Sequence, residues 1–384
     1  MNKSMQSESL LAATGQSLDL ERPYYTSHLI TYLGNKRKLL PFLYENFLNI
    51  KRVIGKEKLV VLDGFAGSGA VSRLLKAFAC KLYVNDLEKY SCTINEAYLA
   101  NTSTIDIKGL EAAIKWLNDN RYNDVGTGAG FIESNYAPLD DNNIKPGERV
   151  FYTRANARII DNVRRLIEQV DPAYRTCCLA ALLVKASVHT NTSGVFKGFH
   201  KKSGNGHFGG RGENALARIK KEIILEVPLF SAFECPVHVT NVDINQLVQD
   251  KELPKFDLAY FDPPYNQHPY GSNYFMLNII NDGVPVEIQP GVSGITREWR
   301  RSNYNSKRAA RQELDDLLES TRASYIAISY NNEGIIPLEE FASLIARHGE
   351  WRLVEQEYNT YRGSRNLRKR NPKVKELLWL IKKA

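Results

Sequence analysis

The sequence predicts an α/β fold with a mostly parallel sheet. Two observations carry this expectation. The β-branched apolar run Leu59-Val60-Val61-Leu62-Asp63 leads directly into a glycine turn and then a helical stretch. A second run, Lys81 to Asp86, ends in an acid about 20 residues beyond those glycines, a spacing that doubly wound folds use. A third apolar run, Phe256-Asp257-Leu258-Ala259-Tyr260-Phe261, stops at Asp262-Pro263-Pro264-Tyr265. Prolines cannot continue a strand ladder, so Asp262 is left at the carboxyl end, where open α/β sheets place their ligands.

Bulk properties fit a large α/β domain with an insertion, or two domains. The chain has 384 residues, 43% of them hydrophobic and 24% charged, which excludes a disordered chain. Lysine and arginine number 51 against 43 acids, and the resulting +8 favours a polyanionic partner. Cys80, Cys92, Cys177, Cys178 and Cys235 form no CxxC pair, as expected of a reduced, cytoplasmic protein. Nothing resembles a membrane span or a signal peptide, and the polar first residues read as a loose tail.

Taken in order, Gly34-Asn35 marks a turn, and Lys36 to Leu48 has helical spacing. Lys36, with Arg37 and Lys38, is either a solvated first turn or part of a loop that lays Tyr32 and Lys36 against a ligand. Gly64, Gly67 and Gly69 let the next turn bend sharply and approach a ligand closely, and a helix follows from Ser72 to Ala79. The turn is not GxGxxG, so a dinucleotide is disfavoured against a nucleoside without a pyrophosphate. Residues 91 to 118 read as one helix, and 118 to 147 as a long polar excursion. Two helices then span Asn156 to Val170 and Tyr174 to Val188.

Residues 191 to 211 are glycine-rich and basic, and carry Phe196, Phe199 and Phe208. Lys197, His200, Lys201, Lys202 and Arg211 are the candidates there for phosphate and base-edge contact. His189, His200 and His207 have no carboxylate or cysteine at ligand spacing, so no metal site is expected. Val237 to Asp243 reads as another strand; Asp243 either meets a cofactor adenine or caps the helix from Ile244. Asn273 and Tyr274 fall in a polar, aromatic stretch suited to a lid over an extruded base. A strand spans Tyr325 to Tyr330, and the basic run Arg362 to Lys375 is either a solvated face or a track for a nucleic-acid backbone.

The tetrapeptide Asp262-Pro263-Pro264-Tyr265 combines a carboxylate, a carbonyl without a neighbouring N–H and an aromatic ring. Such a set can hold an exocyclic amine while the ring stacks on a flat base. An ordinary strand-ending turn is the competing account.

These motifs together resemble the Dam-like, alpha-class DNA adenine methyltransferases. Leu33-Gly34-Asn35-Lys36, with Tyr32 before it, is similar to the family's first motif, and Phe65-Ala66-Gly67-Ser68-Gly69 to its cofactor loop. Asn85-Asp86 is similar to its ribose-binding acid, and Asp262-Pro263-Pro264-Tyr265 to its catalytic motif, all in the alpha-class order. Asn35 and Tyr32 stand where the family often has glycine and tryptophan.

The resemblance implies a Rossmann-like methyltransferase fold: a flexible tail over 1–22, a cofactor-binding half over 23–105, a largely helical and loop target-recognition insertion over 106–230, and a catalytic half over 231–384. It further implies S-adenosyl-L-methionine as cofactor, bound by Tyr32, Lys36, Phe65, Gly67, Gly69 and Asp86, with double-stranded DNA as substrate. The expected product is adenine methylated on its exocyclic amine after base flipping. A cognate restriction endonuclease is a compatible partner. Two other readings stay open: methylation of a cytosine amine or an RNA base, or a nucleic-acid-binding relative that no longer turns over.

Overall fold

The computed structural model of the protein describes residues 18–123, 128–213, 215–359 and 373–383. The glycine cluster at 126–130 lies partly outside these residues, as does the basic run from Arg362 to Lys375, whose residues 362–372 all lie outside them. A seven-stranded sheet organises the chain. Its members are β1 (Leu59–Asp63), β2 (Ala79–Asn85), β5 (Val237–Thr240), β6 (Phe256–Phe261), β7 (Ala323–Asn331), β8 (Gly349–Asn359) and β9 (Lys373–Lys383). The order is β5-β2-β1-β6-β7-β9-β8; β5 through β7 run parallel, and β9 pairs antiparallel with both β7 and β8. A short hairpin, β3 (Lys201–Lys202) with β4 (Asn205–Gly206), stands apart.

Burial explains why the central strands read as continuous apolar runs. All six residues of β6 are buried, and its alternate side chains serve opposite faces of the sheet. Leu258 and Tyr260 join a core with Leu43 and Phe47 of α1 (Leu40–Ile54) and Leu74 of α2 (Ala70–Lys76). Ala259 and Phe261 join the other core, with Leu314 and Leu317 of α9 (Ala310–Ser320) and Phe341 of α10 (Leu338–Ile345).

The expected single helix over 91 to 118 is two. α3 (Lys89–Tyr98) ends, and α4 (Ile107–Asn120) restarts where the Asp106 side chain accepts from Lys108 N–H at 3.1 Å. Thr, Ser and Asp between them compete for backbone groups and favour such caps. The insertion adds α5 (Phe131–Tyr136), α6 (Arg154–Leu166) and α7 (Pro172–Val188). Most of its apolar residues pack with α3 and with α8 (Phe275–Asp282), which follows β6, and a small second cluster joins Val150, Phe208 and Ile219. The expected loose tail is corrected at its end, because Leu18 and Leu20 pack on the α1 side of the sheet and Leu18 N–H donates to Tyr44 Oη at 3.3 Å. No helix among the described residues is long and apolar enough to cross a membrane.

One contact ties the segment before α1 to the chain beyond Asp262. The rings of Tyr32, Tyr270 and Tyr274 form a mutually packed cluster, with the Tyr32 centroid 4.9 and 5.0 Å from the other two and those two 6.0 Å apart. Leu33 is bracketed by the same pair: its N–H donates to Tyr274 Oη at 2.8 Å, and Tyr270 Oη donates to its carbonyl at 3.0 Å.

Candidate active site

The glycine turn between β1 and α2 forms one wall of a cleft at the carboxyl ends of the parallel strands. Gly67 N–H donates to Asp86 Oδ2 at 2.6 Å, Asp86 Oδ1 accepts from Glu88 N–H at 2.8 Å, and the Gly67 carbonyl accepts from Ser91 Oγ at 2.7 Å. Gly67 has φ +53°, and a Cβ there would stand 2.7 Å from the Tyr32 ring. Only glycine accommodates both the angle and the ring. Asn35 Nδ2 donates to Ser68 Oγ at 3.0 Å, so the amino-terminal loop is fastened to the glycine turn.

The opposite wall comes from the end of β6. Asp262 and Pro264 face the same cleft as Tyr32, Lys36, Phe65, Gly67 and Asp86, a space of about 730 Å³ counted to its open mouth. Tyr265 stands behind it, with its hydroxyl against Gly34 and the Lys36 ammonium 5.8 Å over its ring.

Lys36 is 4% exposed, and its Nζ lies 3.2 Å from Asp262 Oδ1 and 2.6 Å from Glu376 Oε1. Burial alone would pull this ammonium down; the two carboxylates outweigh it and hold it well above its usual value. Burial pushes the Asp262 carboxyl up to about 7, with Lys36 pulling it down and Glu376 pushing it further up. Burial likewise raises Asp86, and raises Glu88 to about 7. Glu376 is wholly buried, and among the described residues its Oε2 has no hydrogen-bond partner.

Several expectations need correction. Asp243 does not line the cleft; its Oδ1 caps the following turn by accepting from Asn245 N–H at 2.9 Å. Asn273 and Tyr274 are 2% and 0% exposed and cannot reach DNA, since they belong to the packed segment that brackets Leu33. Phe196 and Phe208 are buried core side chains rather than aromatic tips. Gly69 does not line the cleft; at φ +72° it makes room for Asn95.

Lys197, Lys201, Lys202 and Arg211 are exposed on and beside the β3–β4 hairpin, and His200 is half-buried against Gly210. No group of three His, Cys, Asp or Glu that could hold a metal occurs among the described residues.

Sequence reasoning missed Glu88, Arg300 and Asn305 in the cleft lining, and Glu376 beneath it; of the expected lid stretch, Tyr270 does line the cleft. Asn305 Nδ2 donates to Asn266 O at 2.7 Å, while its buried Oδ1 has no hydrogen-bond partner among the described residues. Nothing local flagged Glu376, which sits 340 positions from the lysine it meets.

The cleft's donor set suits a nucleoside carrying a cationic centre. Asp86 and Glu88 offer acceptors to hydroxyl or ammonium groups, and Phe65 offers an aromatic wall.

A family model described as D12 class N6 adenine-specific DNA methyltransferase matches residues 32–343. The chain is 30% identical to the type II methyltransferase M.NlaIII of Neisseria lactamica, over 88% of this chain and 93% of that one. It is 29% identical to the type II methyltransferase M.CviAII of Paramecium bursaria Chlorella virus 1, over 87% and 93% of the two chains. It is 28% identical to the modification methylase LlaI of Lactococcus lactis subsp. lactis, over 92% of this chain and 55% of that one.

The Gly67→Ala variant is expected to lower the melting temperature, because a strained left-handed residue costs roughly 1–3 kcal/mol, and to weaken S-adenosyl-L-methionine binding, because the added methyl group displaces Tyr32 or the turn from the cleft wall. Calorimetric titration checks it, and unchanged affinity would show that the turn does not shape the ligand site.

Proposed function

The chain belongs to the D12 class N6 adenine-specific DNA methyltransferases, and with that as premise we propose how its residues divide the work. The observation that carries this reading is the shared cleft, which brings Asp262, Gly67 and Asp86 together although they are far apart in sequence. S-adenosyl-L-methionine, the family's cofactor, supplies an activated methyl carbon bonded to a sulfonium sulfur.

Asp86 holds the ribose hydroxyls of that cofactor, because each of its oxygens keeps a lone pair beyond the backbone N–H it already accepts. Phe65 borders the adenine, and the Gly67 turn sets the depth of the site. Asp262 and the Pro263 carbonyl accept the two N–H bonds of the extruded target amine. That amine is a poor nucleophile while its lone pair is delocalised into the ring. Drawing its hydrogens out of plane localises the pair and orients it, so proximity does the work of a covalent intermediate.

As the nitrogen–carbon bond forms, the methyl carbon's bond to sulfur would break, its electron pair staying on sulfur as a neutral thioether. Nitrogen is left with one proton too many, and Asp262 is the base placed to take it. Lys36 stands behind Asp262 as a fixed counter-charge rather than as a primary cofactor ligand. Tyr265 supports the extruded base.

Residues 106–230 are assigned to target recognition, with Lys197, Lys201, Lys202 and Arg211 on DNA phosphates. By analogy with the type II relatives, the role is DNA modification beside a restriction enzyme, in the cytoplasm.

Duplex DNA incubated with methyl-labelled cofactor and digested to nucleosides should carry the label on N6-methyladenine. Asp262→Ala should cut incorporation by about 10²-fold or more, the scale of losing one aligned transition-state hydrogen bond. Equal labelling by both proteins, or label on cytosine, would overturn the assignment.

The pH profile supplies a second check. Protonated Asp262 can neither accept fully from the amine nor take its proton, so turnover should fall as pH drops through about 7. Glu376→Gln removes a negative charge that pushes Asp262 up, so the acidic limb should move to lower pH. A limb that stays in place would contradict the role given to Asp262.

A further inference from the structure

Between Gly283 and Ala309 the chain runs over the cleft without long regular structure, and its later part is strongly basic. From Arg297 to Arg311 there are six basic residues, Arg297, Arg300, Arg301, Lys307, Arg308 and Arg311, against one acid, Glu298. This strap is firmly seated. Arg300 donates to Leu87 O and Asn241 Oδ1 at 2.9 and 2.8 Å. Tyr304 is buried, donates to Asn245 Oδ1 at 2.7 Å, and sets its ring edge against Phe65. Asn305 grips Asn266 O just past the Asp262 tetrapeptide.

Not every cation in the strap is spent on this seating. Arg297 pairs with Glu287 at 2.6 Å, and Arg311 approaches Glu340 at 3.9 Å. The Arg301 guanidinium stands over the Trp299 ring, 4.5 Å from its centroid, and is exposed. Lys307 and Arg308 are exposed, with no ion-pair partner among the described residues. Arg300, Ser302 and Asn305 line the cleft itself, so these cations stand at its rim.

We propose that the strap is a DNA-backbone contact on the catalytic side of the cleft, with Lys307 and Arg308 binding phosphates beside the extruded nucleotide. This rests on the methyltransferase reading above and adds a surface to it. A base can enter the cleft only if its own strand crosses the rim, and that strand carries a charge on every nucleotide. Free cations on a rigid rim release counterions on contact without first ordering a flexible loop. The strap then adds a second basic surface to that of the β3–β4 hairpin, whose lysines belong to the insertion.

The test is fluorescence anisotropy of the full-length protein with a labelled duplex, read across a salt series. The variants are Lys307→Gln with Arg308→Gln, and a control pair, Lys251→Gln with Lys255→Gln. Lys255 immediately precedes β6, at the opposite end of that strand from Asp262. Both pairs lose the same charge. The strap pair should lose affinity at least about tenfold at low salt and flatten the log–log salt slope by about 0.9 per phosphate contact removed. S-adenosyl-L-methionine affinity should stay as in wild type. A strap pair that matches the control pair in both affinity and slope would overturn the proposal. Wild-type protein that neither binds nor methylates DNA would sink the underlying function, and this surface with it.

Discussion

Lys36 is the charge on which the cleft depends. An ammonium taken out of water costs several kcal/mol unless carboxylates surround it, and this one has two. Each comes from a different part of the chain: Asp262 from the residue after β6, Glu376 from the antiparallel strand β9. The reversed strand therefore has a local consequence. Inserted between β7 and β8, β9 sets Glu376 opposite Asn331 at the carboxyl end of β7, close to where β6 delivers Asp262. A parallel strand arriving there would need its own crossover on a sheet face already covered. The lysine thus fixes the amino-terminal segment, the catalytic-motif strand and the carboxyl-terminal hairpin around one point.

The two halves of the cleft are joined a second time, through uncharged groups. Tyr32 lies over Gly67 on one side and packs against both Tyr270 and Tyr274 on the other. Gly34 leaves space for the Tyr265 and Tyr270 hydroxyls. The residues that shape the glycine-turn wall therefore also press on the segment that follows the tetrapeptide. Such packing transmits a shift on one wall to the other without a flexible hinge, because close-packed side chains yield little.

Much of this was legible in the sequence. Central parallel strands are buried on both faces and show as unbroken apolar runs, and prolines or glycines mark where they stop. That is why β1, β6 and the ligand-bearing ends could be read directly. The residues that failed did so because their role is set by distant partners. Asn273 and Tyr274 look like a polar, aromatic lid, yet Tyr274 is buried to accept a hydrogen bond from Leu33, 241 positions earlier. Phe196 and Phe208 sit in a glycine-rich basic stretch, but the core of the insertion takes both. Glu376 lies in an apolar strand where a lone acid reads as an edge position, and only the three-dimensional meeting with Lys36 explains its burial. Asp243 had two readings, and the local one, a helix cap, prevailed.

The most direct test of the buried charge centre is a double-mutant cycle on stability. Lys36→Met leaves two buried carboxylates without their counter-charge and should cost about 3–5 kcal/mol, whereas Glu376→Met leaves Lys36 paired with Asp262 and should cost less. Together they should cost less than the sum of the two, since the second change removes one of the carboxylates that the first would strand. Strictly additive losses would mean that the two residues do not sense one another, and the central role given to Lys36 would fall.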